Sequence, residues 1–371
     1  MADQLASLYS EEDAKLLRAA TDIETIIEKR ADWDETVHTV EQNCDTIFTW
    51  DYEQARPGLM KLYEKAKTSQ WNVSTDIDWS IEVDPERIAS SAPDPRFAVM
   101  QNVDLSGTPF GKFGEKEWTE LNVESQNWML SQFLHGEQGA LLCTAKIVET
   151  VPWIDAKYYA STQVMDEARH VEVFGRYLKE KLGGEYPVNA HLRGLLDAII
   201  EDHRWDMTYL GMQIMVEGLA LAAFGFIHSM TPDPLLKEIL RYVMSDEARH
   251  VAFGVLSLKE IYQDMTAAEI RDRQEFAYEA AVSMRDRFLQ QEVWEKMGLP
   301  VKECVELAFV SPTRIEFQKM LFSKIVPNLK KLGLLEGWLR EKFADLGVLQ
   351  FENAPDTEIE YEAFQVVGVS A

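Results

Sequence analysis

Asp166-Glu-Ala-Arg-His170 recurs residue for residue as Asp246-Glu-Ala-Arg-His250, and a lone glutamate stands thirty residues before each motif glutamate, Glu137 in the first half and Glu217 in the second. Glu137, Glu167 and His170 therefore map onto Glu217, Glu247 and His250 with one offset of eighty residues. On a helix, positions i and i+3 share a face about 5–6 Å apart. Glu167 with His170, and Glu247 with His250, can each hold one cation between them. One such helix supplies too few ligands. A thirty-residue gap fits a helix, a reversal and most of a second helix at ~1.5 Å per residue, so Glu137 and Glu217 belong to separate helices. Four carboxylates and two imidazoles in this order form the ligand set of a two-metal site inside a four-helix bundle. The lone Glu137 and Glu217 are placed to bridge the two ions. Oxygen-rich ligation with one imidazole per metal suits iron or manganese better than zinc.

A run of charges at helical spacing is commonly a solvated face, and one Glu-x-x-His motif is weak evidence. Duplication with equal spacing is much stronger, and so is the setting. Glu137 lies in the nearly uncharged FLHGEQGALLC of Phe133–Cys143, and Glu217 is the only charge in MQIMVEGLALAAFGFI, Met212–Ile227. A carboxylate in an apolar helix is costly unless it is paired or bound to metal.

On these residues the chain resembles the ferritin-like di-iron carboxylate superfamily, closely over about residues 120–260. The Asp-Glu-x-Arg-His form used twice is most similar to the catalytic subunits of bacterial multicomponent monooxygenases. The segment LYEKAKTSQWNVSTDIDW, Leu62–Trp79, resembles the region before the bundle in ribonucleotide reductase small subunits and related oxidases. The resemblance implies an all-α, ferritin-like four-helix bundle with additional N- and C-terminal helices. It implies two iron ions, with a mixed manganese–iron pair as the alternative, and dioxygen as co-substrate. It also implies that Asp166 orients His250 and that Asp246 orients His170, which agrees with the need of a metal-bound imidazole for a partner on its second nitrogen. Arg169 and Arg249 would offset these acids or serve as ordinary helix-surface charges.

The chain departs from several relatives of that superfamily. Phe174 stands where reductase small subunits typically carry a radical tyrosine, with Tyr177 a turn further on. Leu221 stands where hydrocarbon hydroxylases commonly carry a threonine, and Val243 where arylamine N-oxygenases carry a further histidine. By helix phase, Phe133, Ala140 and Leu141 share a face with Glu137, and Gln213, Ala220, Leu221 and Phe224 share one with Glu217. With Phe174 they form the expected substrate pocket. His135, His203 and His228 read as core or capping histidines.

The expected reaction is dioxygen-dependent oxidation of a small organic substrate, by hydroxylation or N-oxygenation. A desaturase or radical-generating oxidase on the same core is one alternative, and an iron-storage or iron-handling protein is the other.

Four segments are expected: an N-terminal helical elaboration with an irregular stretch (1–118), the di-metal bundle (119–262), packed C-terminal helices (263–349) and an acidic tail (350–371). Helices are expected over 11–29, within 34–67, near 119–149, 152–183, 190–230 and 234–262, from an N-cap at Thr266 to about Met297, and over 312–331 and 333–345. The stretch 70–118 reads as irregular or as short strands. Cys44, Cys143 and Cys304 show no paired spacing, and no signal-peptide pattern opens the chain, so a cytoplasmic protein with reduced thiols is expected. No uncharged apolar run is long enough to cross a bilayer. The net charge of −26 disfavours nucleic acid and anionic membrane. Between Arg314 and Lys342, seven basic residues face three acidic ones. That excess reads as a solvated helix face or as a docking patch for an acidic electron donor. The expected partners are a small-molecule substrate, a ferredoxin- or reductase-like donor and a second copy of the chain in a homodimer.

Overall fold

The structure, a computed structural model, describes residues 23–90 and 105–357. The helices in chain order are α1 (Ile23–Glu28), α2 (Pro57–Thr68), α3 (Pro85–Ala89), α4 (Glu115–Thr150), α5 (Ile154–Tyr177), α6 (Ala190–Glu201), α7 (Trp205–Met230) and α8 (Pro234–Tyr262). They are followed by α9 (Ala267–Asp286), α10 (Gln291–Lys296), α11 (Val301–Phe309), α12 (Pro312–Leu321), α13 (Ile325–Lys331) and α14 (Gly337–Asp345). No strand occurs among the described residues. The fold is a ferritin-like bundle of two helical hairpins, α4–α5 and α7–α8, with α2 packed across α5 and α8. Of the helix expected over 11–29, residues 23–29 fall among those described and are helical over Ile23–Glu28, and the tail beyond 357 lies outside them.

Side chains stop and start the bundle helices. Asn189 accepts from the backbone N–H groups of His191 and Leu192 to open α6, and Asp233 accepts from Leu235 to open α8. Thr266 opens α9 as expected, in a capping box with Glu269. Gly183 takes φ 69° after a π-helical turn, Leu178–Leu182, that prolongs α5.

Several expected helices are interrupted. Residues 31–56 form no regular secondary structure, and α2 begins only at Pro57, the first helical position. Val37, Phe48, Trp50 and Tyr52 in that arm face solvent, so it offers no apolar stripe to a core. The single helix expected over 190–230 breaks at Asp202–Arg204. There the Asp202 carboxylate accepts from the Arg204 backbone N–H at 2.9 Å, and buried Lys146 Nζ donates to the carbonyls of Ile200 and Asp202. These bonds replace the helical ladder. The helix expected to run to Met297 ends in a 3₁₀ turn, Arg287–Leu289, and Gln290 takes the left-handed conformation at φ 56°. The expected 312–331 helix divides into α12 and α13, and α11 was not anticipated.

The basic stretch from Arg314 to Lys342 is largely engaged. Arg314 is half-buried and donates to the carbonyls of Phe309 and Arg285. Lys319 pairs with Glu316, Lys331 with Asp356 and Arg340 with Glu352, while Lys330 donates to Asn353. The acids just beyond Lys342 neutralise the excess that a count ending there leaves open. α7 has the length and apolar character of a membrane span, with a mean hydropathy of 1.7 over its most apolar window, but 78% of that window is buried in the bundle.

α7 is not a uniform α-helix, because Leu210–Val216 winds as a π-helix immediately before Glu217. A π turn holds more residues than an α turn and re-phases those beyond it. It also widens the helix, and α8 accommodates it with Gly254, where a Cβ would lie 2.5 Å from the Cβ of Gln213. Gly254→Ala should therefore cost about 1–3 kcal/mol as an overpacked core substitution, read as a lower urea midpoint. Gly58→Ala, whose Cβ would meet only the two Leu256 methyls at 3.4 and 3.7 Å, serves as the control and should leave the midpoint nearly unchanged.

Candidate metal centre

The four bundle helices deliver the six repeated residues to one point in the core: Glu137 from α4, Glu167 and His170 from α5, Glu217 from α7, and Glu247 and His250 from α8. All six are buried. They form two groups, each with its ligand atoms within 4.8 Å of one another: Glu137, Glu167, His170 and Glu247 in one, and Glu167, Glu217, Glu247 and His250 in the other. The shared carboxylates are therefore Glu167 and Glu247. This corrects the expectation that the lone Glu137 and Glu217 bridge. The motif helices α5 and α8 face each other, so their glutamates meet in the middle, and Glu137 and Glu217 lie at the two ends.

The imidazoles are aimed. His170 Nε2 lies 3.2 Å from Asp246 Oδ2, and His250 Nε2 lies 3.4 Å from Asp166 Oδ2. Each Nδ1 then faces the carboxylates: that of His170 is 3.3 Å from Glu137, 3.3 Å from Glu167 and 3.0 Å from Glu247. One nitrogen can donate a single proton, so three oxygens around it cannot all be hydrogen-bonded. Glu167 Oε2 and Glu247 Oε1 are in fact left without a hydrogen bond. Buried oxygens without donors, converging on ring nitrogens, are a set that a cation satisfies.

The electrostatics agree. Burial, followed by the charge of Glu247, pushes the Glu137 carboxyl up to about 8, and burial with the charges of Glu167 and Glu247 pushes Glu217 well above the usual range. Burial also works against ionised Glu247, but hydrogen bonding from Glu217 and the charge of His250 overcome it and hold Glu247 down at about 2. Without cations, burial and mutual repulsion favour the protonated forms of Glu137 and Glu217. Two divalent ions would let all four ionise. The residues present thus fit two metal ions.

Around this cluster lies a crossed ion-pair network. Arg249 reaches both Asp246 and Asp166, and Arg169 does the same. Both arginines are buried, so neither is a surface charge. Trp71 was legible only as a buried tryptophan at a helix end, yet its indole N–H donates to Asp246 Oδ2 at 2.7 Å and its ring lies 6.4 Å from that of His170. Gln163 was not anticipated. It sits one turn before Glu167 and donates to Glu167 at 2.8 Å and to Glu217 at 3.4 Å. Its place on the ligand face of α5 was the available signal.

Beside Glu137 and Glu217 is a small cavity with about 10 Å³ of room for water centres, enough for about one water. Phe133, Ala140 and Ala220 line it, together with Gln132, Leu219 and Arg287. Phe224 stacks between Phe133 and Phe174, with centroids 4.8 and 5.5 Å away. Leu141 and Leu221 do not line this cavity: each is half-buried, one position past the alanine that does. Gln213 lies elsewhere too, under the π turn against Gly254. Tyr177 donates to the α8 cap Asp233 and is thereby held away from the cluster. His135 bonds the Tyr186 carbonyl.

No family model and no curated protein matches this chain. Among solved structures, it is similar to an R2-like ligand-binding oxidase variant with an anaerobically reconstituted Mn/Fe cofactor. That match has 19% identity and a TM-score of 0.44, covering 73% of this chain and 94% of that one. It is also similar to the R2-like ligand-binding oxidase with an aerobically reconstituted Mn/Fe cofactor, at 17% identity and a TM-score of 0.41, covering 82% and 93%. At this distance the ligand set of the present chain stands on its own geometry.

Two outcomes are expected. Glu137, Glu217, His170 and His250 all have raised values in the folded chain. Their contribution to stability is full below the unfolded values and is lost as pH rises through the folded ones, about 8 for Glu137. The metal-free melting temperature should then fall between about pH 5 and about pH 9, and the increment given by anaerobic ferrous loading should grow over the same range. An increment that shrinks with pH would contradict the cluster as a cation site. Separately, Asp166→Ala and Asp246→Ala should retain the fold but weaken metal affinity about 10–100-fold, measured by competition with a chelator.

Proposed function

We propose that this protein is a dinuclear iron or manganese–iron oxidase that uses dioxygen to oxidise a small organic substrate. The observation that carries the reading is the closed cluster of four buried carboxylates and two buried imidazoles, with Glu167 and Glu247 shared between its two groups. Glu137 with His170 would complete one metal, and Glu217 with His250 the other. When bound, the two metals supply the electrons that reduce dioxygen.

The chain's own residues do the rest. Asp246 and Asp166 hold the imidazole Nε2–H groups and so leave Nδ1 free for metal. Arg169 and Arg249 pair with those aspartates and hold them in place. Phe133, Phe174 and Phe224 exclude bulk water on the cavity side. Trp71, bonded to Asp246 behind His170, offers a route for electrons from an external donor protein to that end of the cluster. Hydroxylation and N-oxygenation of the substrate are the expected outcomes.

Storage of a tyrosyl radical is the less favoured reading. Phe174 has no hydroxyl, and the Tyr177 hydroxyl is committed to Asp233. Iron storage is disfavoured by the enclosure of all six side chains in the bundle core.

Anaerobic loading with ferrous iron should give two metals per chain by elemental analysis, and about one in Glu217→Ala. A stoichiometry of one in the wild type, unchanged by that substitution, would refute the dinuclear centre. Dioxygen uptake by the reduced protein should stop after one stoichiometric consumption without donor or substrate. Sustained uptake with iron alone would identify an iron-mineralising protein instead.

A further inference from the structure

The small cavity beside Glu137 and Glu217 has one wall group that the metal centre leaves unused. Arg287, in the 3₁₀ turn after α9, is 3% exposed and forms part of that wall. Among the described residues no acceptor lies within hydrogen-bond or ion-pair reach of its guanidinium, and its buried Nε has no partner. The ring of Phe288, 4.7 Å from its Cζ, offers a quadrupole but no charge. The nearby acids are engaged elsewhere. Asp286 pairs with Arg285 at 2.7 Å, and Glu292 accepts from the Trp128 indole and the Asn189 amide, each at 2.8 Å. Asp166 and Asp246 are matched by Arg169 and Arg249. Four ligand carboxylates balance two divalent ions. Arg287 is therefore a surplus buried cation, and a buried charge is costly unless it is paired. Burial alone pushes it down to about 10, with no neighbouring charge acting on it.

The room available sets the size of the partner. About 10 Å³ admits about one water, so carboxylate, sulfate and phosphate are too large. A water would accept from the guanidinium but leave its charge uncompensated. A single-atom monoanion does both. Phe133, Ala140, Val216, Leu219 and Ala220 present no polar side-chain atom to the cavity, and the Gln132 amide already donates to the Pro187 carbonyl and accepts from the Asn189 backbone N–H. Such a wall cannot replace the tight hydration of fluoride. Chloride gives up its water more readily and matches a guanidinium, which is itself weakly hydrated. Glu137 and Glu217 share the wall and repel an anion when they are ionised without metal. Divalent ions on the cluster cancel that repulsion. Metal and anion occupancy therefore favour each other, and by linkage each raises the affinity of the other by the same factor.

We propose that Arg287 and the small cavity form a site for one chloride-sized monoanion, and that occupancy of this site is coupled to metal loading of the neighbouring cluster. The site stands on the unpaired guanidinium and the cavity. The coupling rests on the two-metal reading, and neither requires dioxygen.

The test compares the full chain in sodium chloride, sodium bromide and sodium methanesulfonate at equal ionic strength, the last anion being too large for the cavity. The metal-free protein should melt at a higher temperature in either halide than in methanesulfonate, because a ligand that binds only the folded state stabilises it. Arg287→Met should melt at one temperature in all three salts. In methanesulfonate it should equal or exceed the wild type, since an unpaired buried cation is removed, which separates loss of the site from loss of the fold. Arg340→Met removes an exposed guanidinium paired with Glu352 and should keep the halide effect. Crystals grown in bromide should show an anomalous peak within hydrogen-bond distance of the Arg287 guanidinium. Manganese(II) affinity, read by chelator competition, should be at least about 5-fold higher in chloride than in methanesulfonate, and equal in the two salts for Arg287→Met. Equal melting of the wild type in all three salts would overturn the site, as would a halide effect that survives Arg287→Met or a bromide peak among the ligand side chains instead. A bromide peak at Arg287 with no effect on melting or on manganese affinity would mean an adventitious ion only. Halide-dependent melting with manganese affinity indifferent to chloride would overturn the coupling. If no manganese binds, the two-metal reading and the coupling fail together, and the melting and bromide results still decide the site.

Discussion

Four carboxylates buried within reach of one another are the constraint on which this structure depends. In a metal-free core they repel and are desolvated, as the displaced Glu137 and Glu217 carboxyls show. A fold that keeps them together must hold their helices rigidly enough that the carboxylates cannot move apart. The 36-residue α4 and 29-residue α8, the packed hairpins and the ion pairs behind the histidines do this. Stability and metal affinity are then two sides of one free energy, because the geometry costly without cations is the geometry that binds them.

The fold and the clustering of the six repeated side chains were legible because both rest on local, periodic signals. The duplicated pentapeptide fixes which residues share a helix face, and the apolar surroundings of Glu137 and Glu217 announce burial. Which carboxylates lie between the metals was not legible, because spacing along a helix says nothing about which helices face each other. The break at Asp202 and the π turn at Leu210–Val216 were missed for a related reason. Lys146 and Gly254, far away in sequence, supply the bonds and the space those irregularities need.

The crossed network behind the cluster shows how charge is handled where water is excluded. Each arginine reaches the aspartate of its own motif and that of the other. A single ion pair buried at this depth would be of doubtful net value. Four groups that satisfy one another, and also fix two imidazoles, share the cost of burial among several contacts. Trp71 extends the arrangement toward the N-terminal segment and ties the region before the bundle to His170 through Asp246.

The exchange of aspartates between the two halves also bears on ancestry. Each half carries an aspartate that serves the other half's histidine, so one helical hairpin with a single Asp-Glu-Ala-Arg-His motif would hold an acid with no imidazole to orient and an imidazole with nothing behind it. Such a hairpin completes a site only by meeting another like it, in antiparallel register. The eighty-residue offset is what would remain if two such hairpins, once separate chains, had been joined end to end. On that view the reciprocity is inherited from an interface, and the symmetry axis of the former pair passes between the two groups of ligands.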